Sequence, residues 1–334
     1  MACVVSVTHD ELHPAPFQLE RNVFVTEESK DFSGVFAHFA ATDFPTRSIY
    51  AWAPVFPCRV GEKSVVVKRT RGDAEAAAAV AGWTTDLAQA GVPVVSPVPL
   101  PVSNPAPVEG DYWVAYPFID GDVYTGKTEQ IADAGRLLGR IHAVSTATTP
   151  PLFEWPDHDE ESVREDQEGI EKVLSGPTPD VVSRLSRLVE DFMPTVLPAI
   201  RHGDLPTVGA VMDYKANNLI YTADGPVLID PDNADLAPRL LDLALAAMQF
   251  HIEHESAPAR MFDQDEWATF IAGYAEFVTL TPAERALWPQ AVDYMLSEYG
   301  VWSLIESDEW EEAREGAFMA DLARATADRF PLPA

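Results

Sequence analysis

Cysteine is nearly absent: Cys3 and Cys58 are the only two in 334 residues. Neither has His or Cys neighbours at ligand spacing, which excludes a disulfide framework and a structural zinc site, and both are expected to be reduced thiols. Long apolar runs are missing too. No stretch approaches the ~18 continuous apolar residues of a membrane span, and His9 and Glu11 stand where a signal peptide would carry its basic and apolar regions. A cytoplasmic protein is expected. Positive charge is scarce, with 23 Lys and Arg against 53 Asp and Glu and a formal charge of −30. Neutralising nucleic-acid phosphates needs clustered basic side chains, so that class of partner is excluded. Two origins of the acidity stay open: a host with high internal salt, or an acidic cleft that attracts a cationic substrate. The acids run through the whole chain, which favours the first.

What is present is a 47% hydrophobic content, enough to fill a substantial core. An amphipathic helix is expected from Thr26 onward, carrying Phe32, Val35, Phe36 and Phe39. Residues 48–60 and 64–69 are β-branched and aromatic runs joined by Gly61-Glu62, the pattern of an antiparallel hairpin whose second strand ends at Lys68. An Ala-rich helix follows over 73–90, stopped by Gly91-Val-Pro. A proline-rich connection over 94–108 leads to a strand over 112–119 that ends at Asp120-Gly121. Beyond it the chain reads as helical, over 129–143, 180–192, 238–253, 265–277, 282–303 and 309–329, with a capping box at Thr281-Pro-Ala-Glu284. The acidic segment 157–171 is a solvated loop or helix edge. No internal repeat is present.

The chemistry concentrates between Val211 and Asp232. An acidic loop, a strand over 219–221, a turn at Asp224-Gly225 and a strand over 227–229 would fix Asp213, Asn218 and Asp230 on one rim. Phosphoryl transfer uses such a set: a carboxylate to accept the attacking hydroxyl's hydrogen bond, and oxygen ligands for a Mg²⁺ that bridges phosphates.

The spacing Asp213-x-Lys215-x-x-Asn218, with Ile229-Asp230 twelve residues on, resembles the aminoglycoside phosphotransferase and choline kinase branch of the kinase superfamily. The resemblance covers about residues 45–250. It implies a bilobal α+β fold of the protein-kinase type, with a β-rich nucleotide-binding lobe over 1–118 and a mainly helical catalytic and acceptor-binding lobe over 119–334. It also implies ATP or GTP as donor and Mg²⁺ as cofactor. By carry-over Asp213 is the catalytic base, Asn218 and Asp230 are metal ligands, and Asp232 approaches the metal or orients its ligands. His202-Gly-Asp204-Leu is a rival, because it opens the family's catalytic loop. Asp204, however, lies fourteen residues before Asn218 where the pattern needs five, whereas choosing Asp213 puts Val211 in the place of the usual histidine. The short spacing favours Asp213.

The resemblance further makes Lys68 the phosphate-pairing lysine, with Glu75 as its ion-pair partner on the following helix and Asp86 as the other acid there. Tyr116-Pro117-Phe118-Ile119 resembles the hinge that recognises adenine through its backbone; since Pro117 has only a carbonyl to offer, the donor must come from Ile119. A glycine-rich loop is lacking, and Ala41 to Ser48 stands in its place with Thr46 or Ser48 to cover the phosphates. Asp242 and His142 match structural positions. Acids and aromatics toward the C-terminus, among them Asp235, His251, Glu253, Trp288 and Tyr294, suit an amine-bearing sugar or amino alcohol. Two other readings compete: a nucleotide-binding pseudokinase that serves as an interaction module, and a phosphoesterase with two metals among His202, Asp204, Asp213, Asp230 and Asp232.

Overall fold

The computed structural model describes residues 31–50, 53–70, 72–144, 159–307 and 310–333. Cys3 and the helix start at Thr26 lie outside them. The chain opens with α1 (Ser33–Phe39), β1 (Ala41–Thr42), β2 (Val55–Val60) and β3 (Lys63–Arg69). Val60 pairs with Lys63, so the β2–β3 turn is Gly61-Glu62 alone, and Gly61 supplies the φ of 60° that a two-residue turn needs. Strand β2 starts seven residues later than the apolar run suggests. The Ser48 hydroxyl accepts the Tyr50 and Val55 N–H groups and reaches the Tyr50 and Ala53 carbonyls, which ties Ser48 to these backbone groups in competition with a ladder.

Helix α2 (Ala74–Gln89) is capped by Asp73, whose carboxylate accepts the Ala76 N–H at 2.7 Å. Strands β4 (Ala106–Val108) and β5 (Asp111–Pro117) complete an antiparallel sheet of order β1-β2-β3-β5-β4. Its inner face is built by period-two alternation: Phe56, Cys58, Val65, Val67, Trp113 and Ala115 pack under Val35, Phe36 and Phe39 of α1. Cys58 is buried there as a free thiol.

The remainder is mainly helical: α3 (Thr128–Val144), α4 (Glu160–Gly169), α5 (Val182–Glu190), α6 (Leu197–His202), then strands β6 (Thr207–Ala210), β7 (Leu219–Thr222), β8 (Gly225–Leu228) and β9 (Asp235–Pro238), then α7 (Arg239–Gln249), α8 (Gln264–Ala275), α9 (Pro282–Met295), α10 (Trp302–Glu306) and α11 (Ala313–Leu322). The fold is thus α+β and bilobal. The capping box at Thr281 forms, but a π-helical turn over Leu296–Val301 divides the helix expected over 282–303 into α9 and α10.

Two short ladders, β6–β9 and β7–β8, lie between α6 and α7. Behind them α3 and α8 cross almost backbone to backbone. A Cβ at Gly135 would sit 2.0 Å from the Phe270 carbonyl oxygen, one at Gly273 2.3 Å from that of Ala132, and one at Gly139 2.7 Å from that of Tyr274. The large core draws in Trp83 and Leu87 of α2 together with Val92 and Val94. The second half of α2 therefore packs on the helical lobe, and the segment after it is pinned there by Val95 N–H to the Leu228 carbonyl and Leu228 N–H to that of Pro93, both 3.0 Å. Among the described residues no helix is long and apolar enough to cross a membrane.

Candidate active site

Strand β6 delivers Val211 and Met212 onto the buried carboxylate of Asp242, near the start of α7. The Val211 N–H donates to Oδ2 at 2.7 Å and the Met212 N–H to Oδ1 at 3.0 Å. His142 of α3 meets the same carboxylate through Nε2 at 2.9 Å, and its Nδ1 faces the Tyr274 hydroxyl of α8 at 3.0 Å. Met212 is held at φ 55°, a left-handed conformation uncommon for a side chain of its size. This turn, latched from three helices, presents Asp213.

Asp213 is half-buried in a polar setting. The Asn218 side-chain amide donates to its carbonyl at 2.9 Å and to its carboxylate at 3.0 Å, and that of Asn233 to the carboxylate at 3.3 Å. The five-residue spacing works because a 3-10 turn, Ala216–Asn218, folds Asn218 back, with its N–H on the Lys215 carbonyl. Lys215, itself buried, lies 3.3 Å from Asp213 and 3.4 Å from Glu253, forming an acid–lysine–acid bridge. Burial raises the Asp213 carboxyl above its ordinary value, with the Lys215 ammonium opposing it. Lys215 itself stays well above its ordinary value, since the two carboxylates outweigh its burial.

Asp230 follows β8, whose end is tied to the same loop by the Ile229 N–H on the Asn218 carbonyl at 2.9 Å. Lys68 reaches it from β3: its ammonium is 2.7 Å from Asp230 and 3.0 Å from Asp232. Burial works against the charge on each partner, yet Lys68 is raised and Asp230 lowered, because each stabilises the other's ion. Asp232 also accepts the Thr70 hydroxyl at 3.2 Å and faces the Tyr116 hydroxyl at 3.5 Å.

Lys68, Asp213, Asn218, Asp230 and Asp232 thus come together; other expected residues do not. Glu75 stands exposed in the first turn of α2 and makes no ion pair among the described residues, and Asp86 is exposed as well. The expected Lys68–Glu75 pair is replaced by Asp230 and Asp232, because α2 is anchored on the helical lobe and turns no acid toward β3. Ser48, as described above, has its hydroxyl committed to backbone groups. His202, the last residue of α6, and Asp204, in the turn after it, are exposed, and β6 separates them from Asp213. At the connection between lobes Pro117 ends β5 opposite Val65, the Phe118 N–H donates to Ser64, and the Ile119 N–H meets no acceptor among the described residues. Of the acceptor-side aromatics, Trp288 is core: it stacks on Trp267 at 5.8 Å and donates to the Phe330 carbonyl. His251 is likewise buried, against the Tyr124 hydroxyl at 2.9 Å.

Several members of the site escaped the sequence reading. Asn233 lies three residues beyond Asp230 with no motif to mark it, and Thr70 and Tyr116 line up only once the strands pair. Lys215 was visible as a motif position, but its second acid, Glu253, is 38 residues away.

A hard cation fits this donor set. With its amide nitrogen committed to Asp213, Asn218 turns its oxygen the other way, and Asp230 is held ionised, so both donors are oxygens. Mg²⁺ is commonly held by one or two carboxylates together with substrate phosphates and water. Among the described residues no group of three or more His, Cys, Asp and Glu side chains is arranged to hold a metal.

Residues 53–288 match the model of the phosphotransferase enzyme family. No curated protein matches the chain in sequence. Among solved structures, an amicoumacin kinase in complex with AMP-PNP, Ca²⁺ and Ami superposes with a TM-score of 0.66 at 16% identity, covering 92% of this chain and 97% of that one. A microcompartment-associated aminopropanol kinase gives 0.62 at 16%, covering 90% and 97%. An aminoglycoside phosphotransferase from Alicyclobacillus acidocaldarius gives 0.55 at 15%, covering 88% and 95%.

Proposed function

Because this chain belongs to the phosphotransferase enzyme family, we propose that it moves the γ-phosphoryl group of ATP or GTP, with Mg²⁺, onto a hydroxyl of an aminoglycoside, amino sugar or amino alcohol. The observation that carries this reading is the convergence of Asp213, Asn218, Asp230 and Lys68, from a loop, a hairpin end and the opposite sheet, into one linked set of contacts. The boundary near residue 118 is then the hinge between a nucleotide lobe and a catalytic lobe. Asp213 accepts the hydrogen bond of the attacking hydroxyl and aims it; Lys68 pairs with the donor's phosphates. Asn218 and Asp230 hold Mg²⁺, which supplies charge neutralisation at the phosphates. The Ile119 N–H and the Pro117 carbonyl are the hinge groups open to a base. The names of the similar structures, kinases of amicoumacin, aminopropanol and aminoglycosides, support an amine-bearing acceptor.

An ATP-consumption screen over amino alcohols, amino sugars and aminoglycoside antibiotics, run at low and high salt, tests the proposal. Turnover with at least one amine-bearing alcohol is expected. ATP binding without turnover across the panel would favour the pseudokinase; hydrolysis of phosphate esters without ATP would favour the phosphoesterase, whose His202 and Asp204 stand exposed outside the cleft.

The salt series addresses the charge of −30. With acids spread over the surface, the unfolding midpoint is expected to rise as the Debye length falls from about 10 Å at 0.1 M to about 3 Å at 1 M. A flat midpoint, with an acceptor KM that climbs steeply with salt, would instead assign the acidity to substrate attraction.

A further inference from the structure

Asp232 stands two residues beyond Asp230, but its surroundings differ. The chain at Asp230 is tied to the Asn218 loop through the Ile229 N–H, whereas both oxygens of Asp232 face the five-stranded sheet. Oδ2 takes the Lys68 ammonium at 3.0 Å. Oδ1 takes the Thr70 hydroxyl at 3.2 Å and faces the Tyr116 hydroxyl at 3.5 Å. All three donors come from β3, its immediate end and β5. Meanwhile Glu75 of α2 is exposed and forms no ion pair with Lys68.

Resting on the phosphotransferase reading, we infer that Asp232 is a positioning residue rather than a metal ligand: it is the fixed counter-ion that keeps Lys68 aimed into the cleft, the task that a helix acid would otherwise perform. A buried ammonium on a long flexible stem needs a second point of attachment to hold one direction, and a carboxylate braced by two hydroxyls provides it. Asp230 meets the same ammonium at 2.7 Å through Oδ1, so Asp232 supplies the second point of attachment, from the side of the sheet. Asp232 also joins the lobes, because its donors belong to the sheet and its backbone to the β8–β9 connection.

The test is calorimetric binding of AMP-PNP to the full chain across a Mg²⁺ series, with Asp232→Asn, Asp232→Glu, Asp230→Asn, Glu75→Gln and Lys68→Met, and folding of each checked by its melting point. Asp232→Asn is expected to weaken AMP-PNP binding roughly tenfold, the scale of a lost charge-assisted hydrogen bond, at every Mg²⁺ concentration and with the Mg²⁺ half-saturation point unmoved. Asp232→Glu should recover most of that loss. Asp230→Asn should move the half-saturation point upward, and Glu75→Gln should change neither. In a Lys68→Met background, Asp232→Asn should add little, because its effect runs through the lysine. A half-saturation shift in Asp232→Asn like that of Asp230→Asn would make Asp232 a metal ligand, and a loss of binding in Glu75→Gln would return the anchoring to α2; either overturns the inference while leaving the phosphotransferase reading intact. Failure of the unmodified protein to bind AMP-PNP at any Mg²⁺ concentration would defeat both.

Discussion

Asp213→Asn is expected to lower kcat by roughly 10²- to 10⁴-fold, the span over which a positioned proton acceptor contributes, with nucleotide affinity nearly unchanged. The side chain is half-buried beside Asn218 and Lys215, so its loss removes the only carboxylate of residues 211–218 without touching Lys68. Asparagine keeps the shape and can still accept from Asn218, which separates a chemical effect from collapse of the loop. Asp204→Asn should leave kcat unchanged, since Asp204 is exposed in the turn after α6. The two variants together decide between the two acids: an inactive Asp204→Asn beside an active Asp213→Asn would reverse the assignment. The pH profile adds a second check. The acceptor must be ionised, and burial raises its carboxyl, so the acid limb should lie above the ordinary carboxylate range. Lys215→Met removes the charge that opposes this rise and should push the limb higher still.

Asp242→Ala is expected to destabilise the protein by about 3–5 kcal/mol, the cost of breaking one side of a buried polar network. The variant strands the N–H groups of Val211 and Met212 and the Nε2 of His142 in a core where no water replaces the lost acceptor. It also releases the left-handed turn at Met212 that presents Asp213. Activity should therefore fall even at temperatures where the fold persists. Urea unfolding of the two proteins gives the difference directly. A change below about 1 kcal/mol, the ordinary range for a single neutral hydrogen bond, would mean that the three donors find other partners and that Asp242 does not hold the loop.

How much of this was legible in the sequence depended on range. The β2–β3 hairpin could be read because its register is set by a two-residue turn, and the Asp213–Asn218 relation because five residues and one 3-10 turn contain it. Helix starts at Asp73 and Thr281 were visible for the same reason, each cap lying within four residues of its partner. Strands β6 and β9 were not. Each is four residues long, one contains a glycine and the other a proline, and they pair across some two dozen residues of intervening chain. Lys68 shows the limit most clearly. Glu75, seven residues along, was the nearby acid, yet the acids that hold the lysine are 162 and 164 residues distant. Nothing local distinguishes these possibilities, because the outcome turns on which lobe α2 packs against. Ser48 was misplaced for a related reason: its side chain satisfies the backbone of its own loop, a competition that residue type alone does not reveal.

The docking of α2 on the helical lobe has a mechanical consequence. Among the described residues the sheet with α1 meets the rest of the protein at three short connections: after Thr70, at Ser96-Pro97, and over Ile119 to Gly121. The second is bounded by Val95, bonded to Leu228 on one side, and Val98, bonded to Ala115 on the other. The third is bounded by Phe118, bonded to Ser64, and Asp122, which exchanges two 2.8 Å hydrogen bonds with Tyr221. Pro97 contributes no freedom in φ, and at Gly121 a Cβ would come within 2.6 Å of the Tyr221 carbonyl oxygen. Few torsions are left to turn. Between the crossings sits a small apolar cluster of Val95, Val114 and Tyr116 against Val227 and Ile229. These bonds, the proline and the cluster leave the sheet little room to swing against the helical lobe.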